Sequence, residues 1–242
     1  MKSFEQTRLR RHTRRSFLGT AGASLALASA PLSADSTLAL TPRQSTGPFY
    51  PATPPLDTDN DLVQVQGREG LARGVITHIT GRVADERGRA VSGARVEIWQ
   101  CNAFGRYHHP RDRRDAPIDP NFQGYGRNTT SGDGQYRFRT IRPVHYPGRA
   151  PHIHFAVSGA GIETLVTQMY VAGETQNARD WLLNGIRDPR ARARLVVELL
   201  PVPGTGGELM GRFDLVLAAD GSLGRADPGL LKALLEANLR SV

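Results

Sequence analysis

Residues 93–99, Gly93-Ala94-Arg95-Val96-Glu97-Ile98-Trp99, set the tightest limit on what this chain can become. Ala94, Val96 and Ile98 alternate with Arg95, Glu97 and Trp99, and successive strand side chains point to opposite faces. The segment is a strand with one apolar face and one of mixed character. Several other stretches read the same way. Val75-Ile76-Thr77-His78-Ile79-Thr80-Gly81-Arg82-Val83 is rich in β-branched residues and runs into an Glu86-Arg87-Gly88 turn. Asp133-Gly134 is a hairpin signal that launches Gln135-Tyr136-Arg137-Phe138-Arg139. Residues 152–157, 165–170 and 213–217 are further strand segments. Helical signals are few: one around residues 178–186, and one over 228–239 with Asp227 as N-cap and Pro228 at the first helical position. Many short strands separated by turns predict an all-β fold, an antiparallel β-sandwich with long loops and a few short helices.

Three segments divide the chain. Residues 1–30 carry Lys2, Arg8, Arg10, Arg11, Arg14 and Arg15 against Glu5, most of the formal net charge of +8. Thr13-Arg14-Arg15-Ser16-Phe17-Leu18 precedes a weakly apolar run that ends in Ala28-Ser29-Ala30. A basic stretch, a short apolar stretch and a small-x-small site make an export signal. The arginine pair before Phe17-Leu18 resembles the twin-arginine type, which carries folded proteins to a periplasmic or extracellular location. Residues 31–73, rich in Pro, Thr, Ser and Asp, read as an extended arm. Residues 74–242 form the sandwich domain. With its basic charge gathered in the leader, the domain is not expected to bind nucleic acid. No run reaches about 18 apolar residues, so no stable membrane insertion is expected after cleavage. Cys101 is the only cysteine, which excludes an internal disulfide and any zinc site built on several thiolates.

Within the domain, His152-Ile153-His154 is the sharpest chemical feature. Residues i and i+2 of a strand share a face, so both imidazoles can meet one metal while Ile153 and Phe155 enter the core. A polar surface stripe is the alternative. Tyr146 lies upstream, beyond a Pro147-Gly148 turn able to fold it back over the pair. No Asp or Glu occurs between Gln135 and Gly161, so further donors must come from elsewhere. The insertion at 101–131 offers Tyr107, His108, His109, Asp112 and Asp115. His108 and His109 are adjacent, so they cannot copy the shared face of the other pair. Two histidines with a carboxylate suit Fe(II), whereas two histidines with two tyrosinates suit a harder ion such as Fe(III), beside which a phenol of pKa near 10 can ionise. His78, mid-strand, reads as structural, Tyr136 as a packing residue, Tyr125 and Tyr170 as core or rim, and Cys101 as a small buried side chain.

Taken together, Gly93 to Gln100, Gly105-Arg106-Tyr107, Asp119-Pro120-Asn121-Phe122, Gly124-Tyr125-Gly126-Arg127, Phe138-Arg139-Thr140-Ile141, Pro151-His152-Ile153-His154-Phe155 and Thr167-Gln168 resemble the intradiol ring-cleavage dioxygenases, in order and with similar spacing. The branch they resemble is the protocatechuate 3,4-dioxygenase type. The resemblance implies a β-sandwich around a non-haem Fe(III) that opens a catechol-type ring between its hydroxyl-bearing carbons, with O2, to a cis,cis-muconate-type product. It implies Tyr107, Tyr146, His152 and His154 as the metal ligands and Tyr146 and Arg149 as catalytic. It also implies Pro48, Phe49, Arg149 and Gln168 beside the substrate, the first two on an arm, Thr41 to Tyr50, that reaches toward the pocket. A homo-oligomer stays open.

Two departures stand out. The connection from Tyr146 to Arg149 is several residues shorter than in the protocatechuate enzymes, and it lacks the tryptophan that follows their Tyr-Pro. That loop borders the substrate, so the resemblance does not by itself imply their mode of carboxylate recognition. The other reading of the chain is a secreted, non-catalytic binding module, because residues 81–94 also resemble transthyretin-like modules. That likeness ends before Tyr107 and gives the two tyrosines and two histidines no role.

Overall fold

Alternating burial organises the domain, and it is clearest in the longest strands. The computed structural model describes residues 37–55 and 57–222, so the leader at 1–30 and the helix expected over 228–239 lie outside the described residues. The described strands are β1 (Ile76–Asp85), β2 (Arg95–Trp99), β3 (Tyr125–Thr129), β4 (Gln135–Ile141), β5 (His152–Gly159), β6 (Ile162–Val171), β7 (Val196–Val197), β8 (Leu200–Pro201), β9 (Leu209–Arg212) and β10 (Leu215–Leu217). In the first sheet β1 pairs antiparallel with β4 and parallel with β9 and β10, and β8 extends β9. The second sheet has the order β3-β2-β5-β6-β7, antiparallel except between β6 and β7. The fold is the expected β-sandwich, and both of its sheets are mixed, with parallel pairings of β9 and β10 to β1 and of β7 to β6.

The sheets meet through their apolar faces. Ile79, Val83 and Phe138 from the first sheet and Val96, Ile98, Ile153, Phe155 and Val157 from the second are buried in one cluster. Phe155 stands edge-on to Phe138 and to Phe213, at 6.5 and 4.9 Å between ring centroids. Each such ring stabilises the fold by about 1.5–3 kcal/mol relative to exposure. Tyr136 packs here too, its hydroxyl donating to the Phe213 carbonyl. His78 of β1 pairs with Glu208 at 2.6 Å, outside this cluster, in keeping with a structural role.

The described residues among 37–75 form no regular strand or helix, and this stretch is stitched to both sheets. The Thr41 amide donates to Val216, the Gln44 amide to Val166 and the Leu62 amide to Arg139. Leu62 and Val63 are fully buried in the core. The arm explains a strand that the sequence hides. The insertion at 101–131 ends in β3, whose Gly126 faces the arm so closely that a Cβ would fall 2.6 Å from the Asp59 carbonyl oxygen. Glycine within a strand often marks such a close approach, and it lowers the strand signal.

Helices are short. A 3-10 turn (Thr175–Ala178) leads to α1 (Trp181–Asn184), close to where the sequence placed a helix. Asp180 caps α1 by accepting from the Leu182 and Leu183 amides. An unforeseen α2 (Pro189–Ala193) starts with Asp188 as N-cap and proline in its first turn. Among the described residues no helix is long and apolar enough to cross a membrane.

Candidate metal centre

Strand β5 is buried on both faces. Away from the core it presents His152 and His154, 1% and 2% exposed. Their Nε2 atoms stand 3.2 Å apart. Two imidazoles on neighbouring positions of one ion, each about 2.0–2.1 Å away, give a separation of that order. His152 Nδ1 lies 2.6 Å from the Ala150 carbonyl oxygen, which makes it the protonated nitrogen and leaves Nε2 its lone pair. Burial, reinforced by the charge of Arg149, holds the pKa of both rings well below the ordinary histidine value. Both are neutral at physiological pH, as metal ligands must be.

Two tyrosines close over this pair. Tyr146-Pro147-Gly148-Arg149 is a tight turn in which the Arg149 amide donates to the Tyr146 carbonyl at 3.0 Å and Gly148 has φ +80°. Only glycine adopts that φ at low cost, and proline before it presets the turn. The turn brings the Tyr146 ring 5.4 Å from His152. Tyr107 is placed by another turn. The Asn102 side chain accepts from the Phe104 and Arg106 amides, and Gly105 has φ +76°, where a Cβ would also sit tightly, 3.1 Å from the His145 carbonyl oxygen. The Tyr107 amide donates to Asp112 at 2.7 Å. Its ring then lies 5.8 Å from Tyr146 and 6.3 Å from His154.

The Tyr107 hydroxyl is buried without a hydrogen-bond partner. Burial first, and Tyr146 second, push its pKa well above 10; burial also raises Tyr146, against the pull of Arg149. Neither phenol ionises here without a cation. Among the described residues no group of three or more His, Cys, Asp or Glu could hold a metal, and the donors beside the two imidazoles at this site are the phenols of Tyr107 and Tyr146. Two neutral imidazoles with facing nitrogens, an orphaned buried phenol and a second phenol beside it fit a hard trivalent ion such as Fe(III).

Arg149 is locked rather than free. Its Nε donates to Asp180 at 2.9 Å, and the pair is almost fully buried. Nη2 donates to Gln168 and Tyr170, and Nη1 lies 3.5 Å from the Tyr146 hydroxyl. Asp180 thus caps α1 and aims Arg149 with one carboxylate, a role with no signal in the sequence beyond an Asp before a short helix. Gln168, opposite His154 in the β5–β6 register, also donates to the Ser45 carbonyl of the arm. Phe49 stacks on Tyr107 at 4.7 Å, whereas Pro48 is exposed.

The other candidates fall away for stated reasons. Asp112 is bound to Arg114 as well as to the Tyr107 amide, so it is no free carboxylate ligand. His108 and Asp115 are exposed, and His109 accepts from the Arg111 amide and packs against Phe49. Arg114, unremarked in the sequence, sits 4.5 Å over the Tyr146 ring. Cys101 is buried, with its thiol pushed up to about 12 by burial. Tyr125 donates to Glu97, and Tyr170 contacts Gln44 and Arg149.

The family model described as Dioxygenase matches residues 45–219. The beta chain of protocatechuate 3,4-dioxygenase from Burkholderia cepacia is 41% identical over 184 residues, 72% of this chain and 78% of that one. Catechol 1,2-dioxygenase from Candida albicans is 28% identical over 205 residues, and the match spans 74% of this chain but only 63% of the fungal protein. Among solved structures, the dioxygenase domain of a carbohydrate-binding fusion protein from Streptomyces sp. SirexAA-E superposes with a TM-score of 0.58 at 28% identity, over 74% of this chain and 99% of that domain.

Proposed function

The chain belongs to the intradiol ring-cleavage dioxygenase family and is an enzyme of that kind, and from this premise we propose that it holds non-haem Fe(III) on Tyr107, Tyr146, His152 and His154 and opens a catechol-type substrate with O2. The observation that carries the reading is the pair of Nε2 atoms 3.2 Å apart with the buried Tyr107 and the half-buried Tyr146 over them. Bound there, ferric iron would supply the Lewis acidity that binds a catechol as a chelate and readies its ring for O2.

The protein's own part follows from its contacts. His152 and His154 offer lone pairs without first shedding protons. Tyr107, wedged between Phe49 and the asparagine turn, is the fixed phenol. Tyr146, half-buried on a turn, is the side chain that, held as a phenolate by the ion, would take a proton from the catechol at Oη. Arg149, clamped by Asp180 and Gln168, keeps a cation beside that oxygen and beside the incoming ring. Phe49, Pro48 and Gln168 belong to the wall on the arm side. The transthyretin-like alternative has no use for these groups. Aerobically purified protein should be coloured by tyrosinate-to-iron charge transfer and should convert one of a panel of substituted catechols to a ring-opened diacid. A colourless protein that turns over none of them would defeat the reading.

Export by the twin-arginine route, from the Arg14-Arg15 pair, belongs to the same proposal. Replacing both with lysine should leave the protein in the cytoplasm, and normal export of that variant would assign the leader to another route.

A further inference from the structure

His152 and His154 are held in different ways. His152 is anchored through Nδ1 to the Ala150 carbonyl, whereas Nδ1 of His154 is buried with no hydrogen-bond partner. Metal-binding histidines almost always fix their ring through the second nitrogen, and loss of such a partner weakens metal binding about 10–100-fold. At His154 something else must fix the ring.

Trp99 lies flat against it, with ring centroids 4.8 Å apart and planes 9° from parallel. The indole has no hydrogen bond of its own. It is braced by Tyr50, edge-on at 4.9 Å, whose hydroxyl donates to Glu97 at 3.2 Å. Glu97, on the same face of β2, also accepts from Tyr125, so the brace is tied to the sheet. Beside Cε1 of the same imidazole runs the arm. A Cβ on Gly47 would stand 3.2 Å from His154 Cε1, and Gly47 has φ +71°, in the left-handed region. The arm is fastened there by the Gly47 amide to Ser45 Oγ at 3.0 Å and by Gln168 to the Ser45 carbonyl at 3.1 Å.

We propose that Trp99 and Gly47 are positioning residues for His154: the indole plane and the bare backbone of the arm clamp the imidazole so that its Nε2 faces that of His152. Stacking here does what a hydrogen bond does for His152. The arm, on this account, is part of the metal centre as well as a wall of the substrate site. The inference rests on the reading that these side chains hold iron.

The test uses the full chain with Trp99→Leu, Trp99→Phe and Gly47→Ala. Three readouts are needed: the rate of iron release to EDTA by metal analysis, the position of the visible band per iron, and the thermal unfolding of metal-free protein. Trp99→Leu and Gly47→Ala should release iron about tenfold faster or more and shift the band. Trp99→Phe, which keeps a flat ring, should fall between Trp99→Leu and wild type. Should Trp99→Leu fail to fold, Gly47→Ala decides, since its half-buried arm position lies outside the core. Folded variants that release iron at the wild-type rate with an unshifted band overturn the clamp and leave the proposed function standing. A wild-type protein that takes up no iron defeats the proposed function itself.

Discussion

The two faces of β5 are equally buried and do opposite things. Ile153, Phe155 and Val157 enter a largely apolar core, where the Tyr136 hydroxyl is hydrogen-bonded, and their burial stabilises the sandwich. His152 and His154, one residue out of step, lie among Trp99, Tyr107 and Tyr146, where burial leaves one imidazole nitrogen, one phenol and the indole nitrogen without partners. Burying such groups costs stability unless something binds them. The difference teaches where this molecule keeps its stability and where it forgoes some. One face specifies the fold, and the other gathers the polar side chains proposed to hold an ion.

The comparison breaks most visibly at Tyr146. Tyr146→Phe removes one of the four proposed donors on the site face and keeps the ring that packs there, so iron should be partly retained while turnover per iron falls about 10²–10⁴-fold. Near-wild-type turnover with an unchanged spectrum would reduce Tyr146 to a packing residue beside Pro147. Next in size is the contrast between neighbours on the strand. Phe155→Ala should lower the unfolding free energy by about 3–5 kcal/mol, because it opens a cavity between the sheets. His154→Ala should leave metal-free protein folded and lose its iron. Denaturant melts and metal analysis of both variants would expose any mixing of the two roles.

The smallest effect is a pH slope. Both imidazoles have a folded-state pKa depressed well below 6.5 by burial and by Arg149. The stability they contribute is therefore full above pH of about 6.5 and is lost as pH falls below it, by up to about 1.4 kcal/mol per pH unit for each ring. Metal-free wild type should lose stability below that pH, and His152→Ala should flatten the slope. Equal slopes in both would mean that the rings are not held neutral.

Much of this was legible along the chain. The alternation at 94–99 is β2, the β-branched run at 75–83 is β1, and His152-Ile153-His154 does place two imidazoles on one face. Pro147-Gly148 folds Tyr146 back as its turn chemistry dictates. What stayed hidden depends on partners far away in sequence. Strand β3 is masked by Gly126, which is there because the arm crosses it. The parallel pairing of β9 and β10 with β1 follows from the return path of the chain, which no local pattern encodes. Asp180 reaches Arg149 across 31 positions. Beyond the exposed Arg95, the polar-looking face of β2 is buried, with Trp99 covering His154 there.

The central claim is that two tyrosines and two histidines on one side of β5 share a single ferric ion. Visible absorption normalised to iron content, on full-length wild type, Tyr107→Phe and Tyr146→Phe, tests it most directly. The account predicts about one iron per chain, a charge-transfer band in the wild type, and a shifted or weakened band in each variant. Stoichiometric iron with no such band, or a band that neither substitution moves, would contradict it.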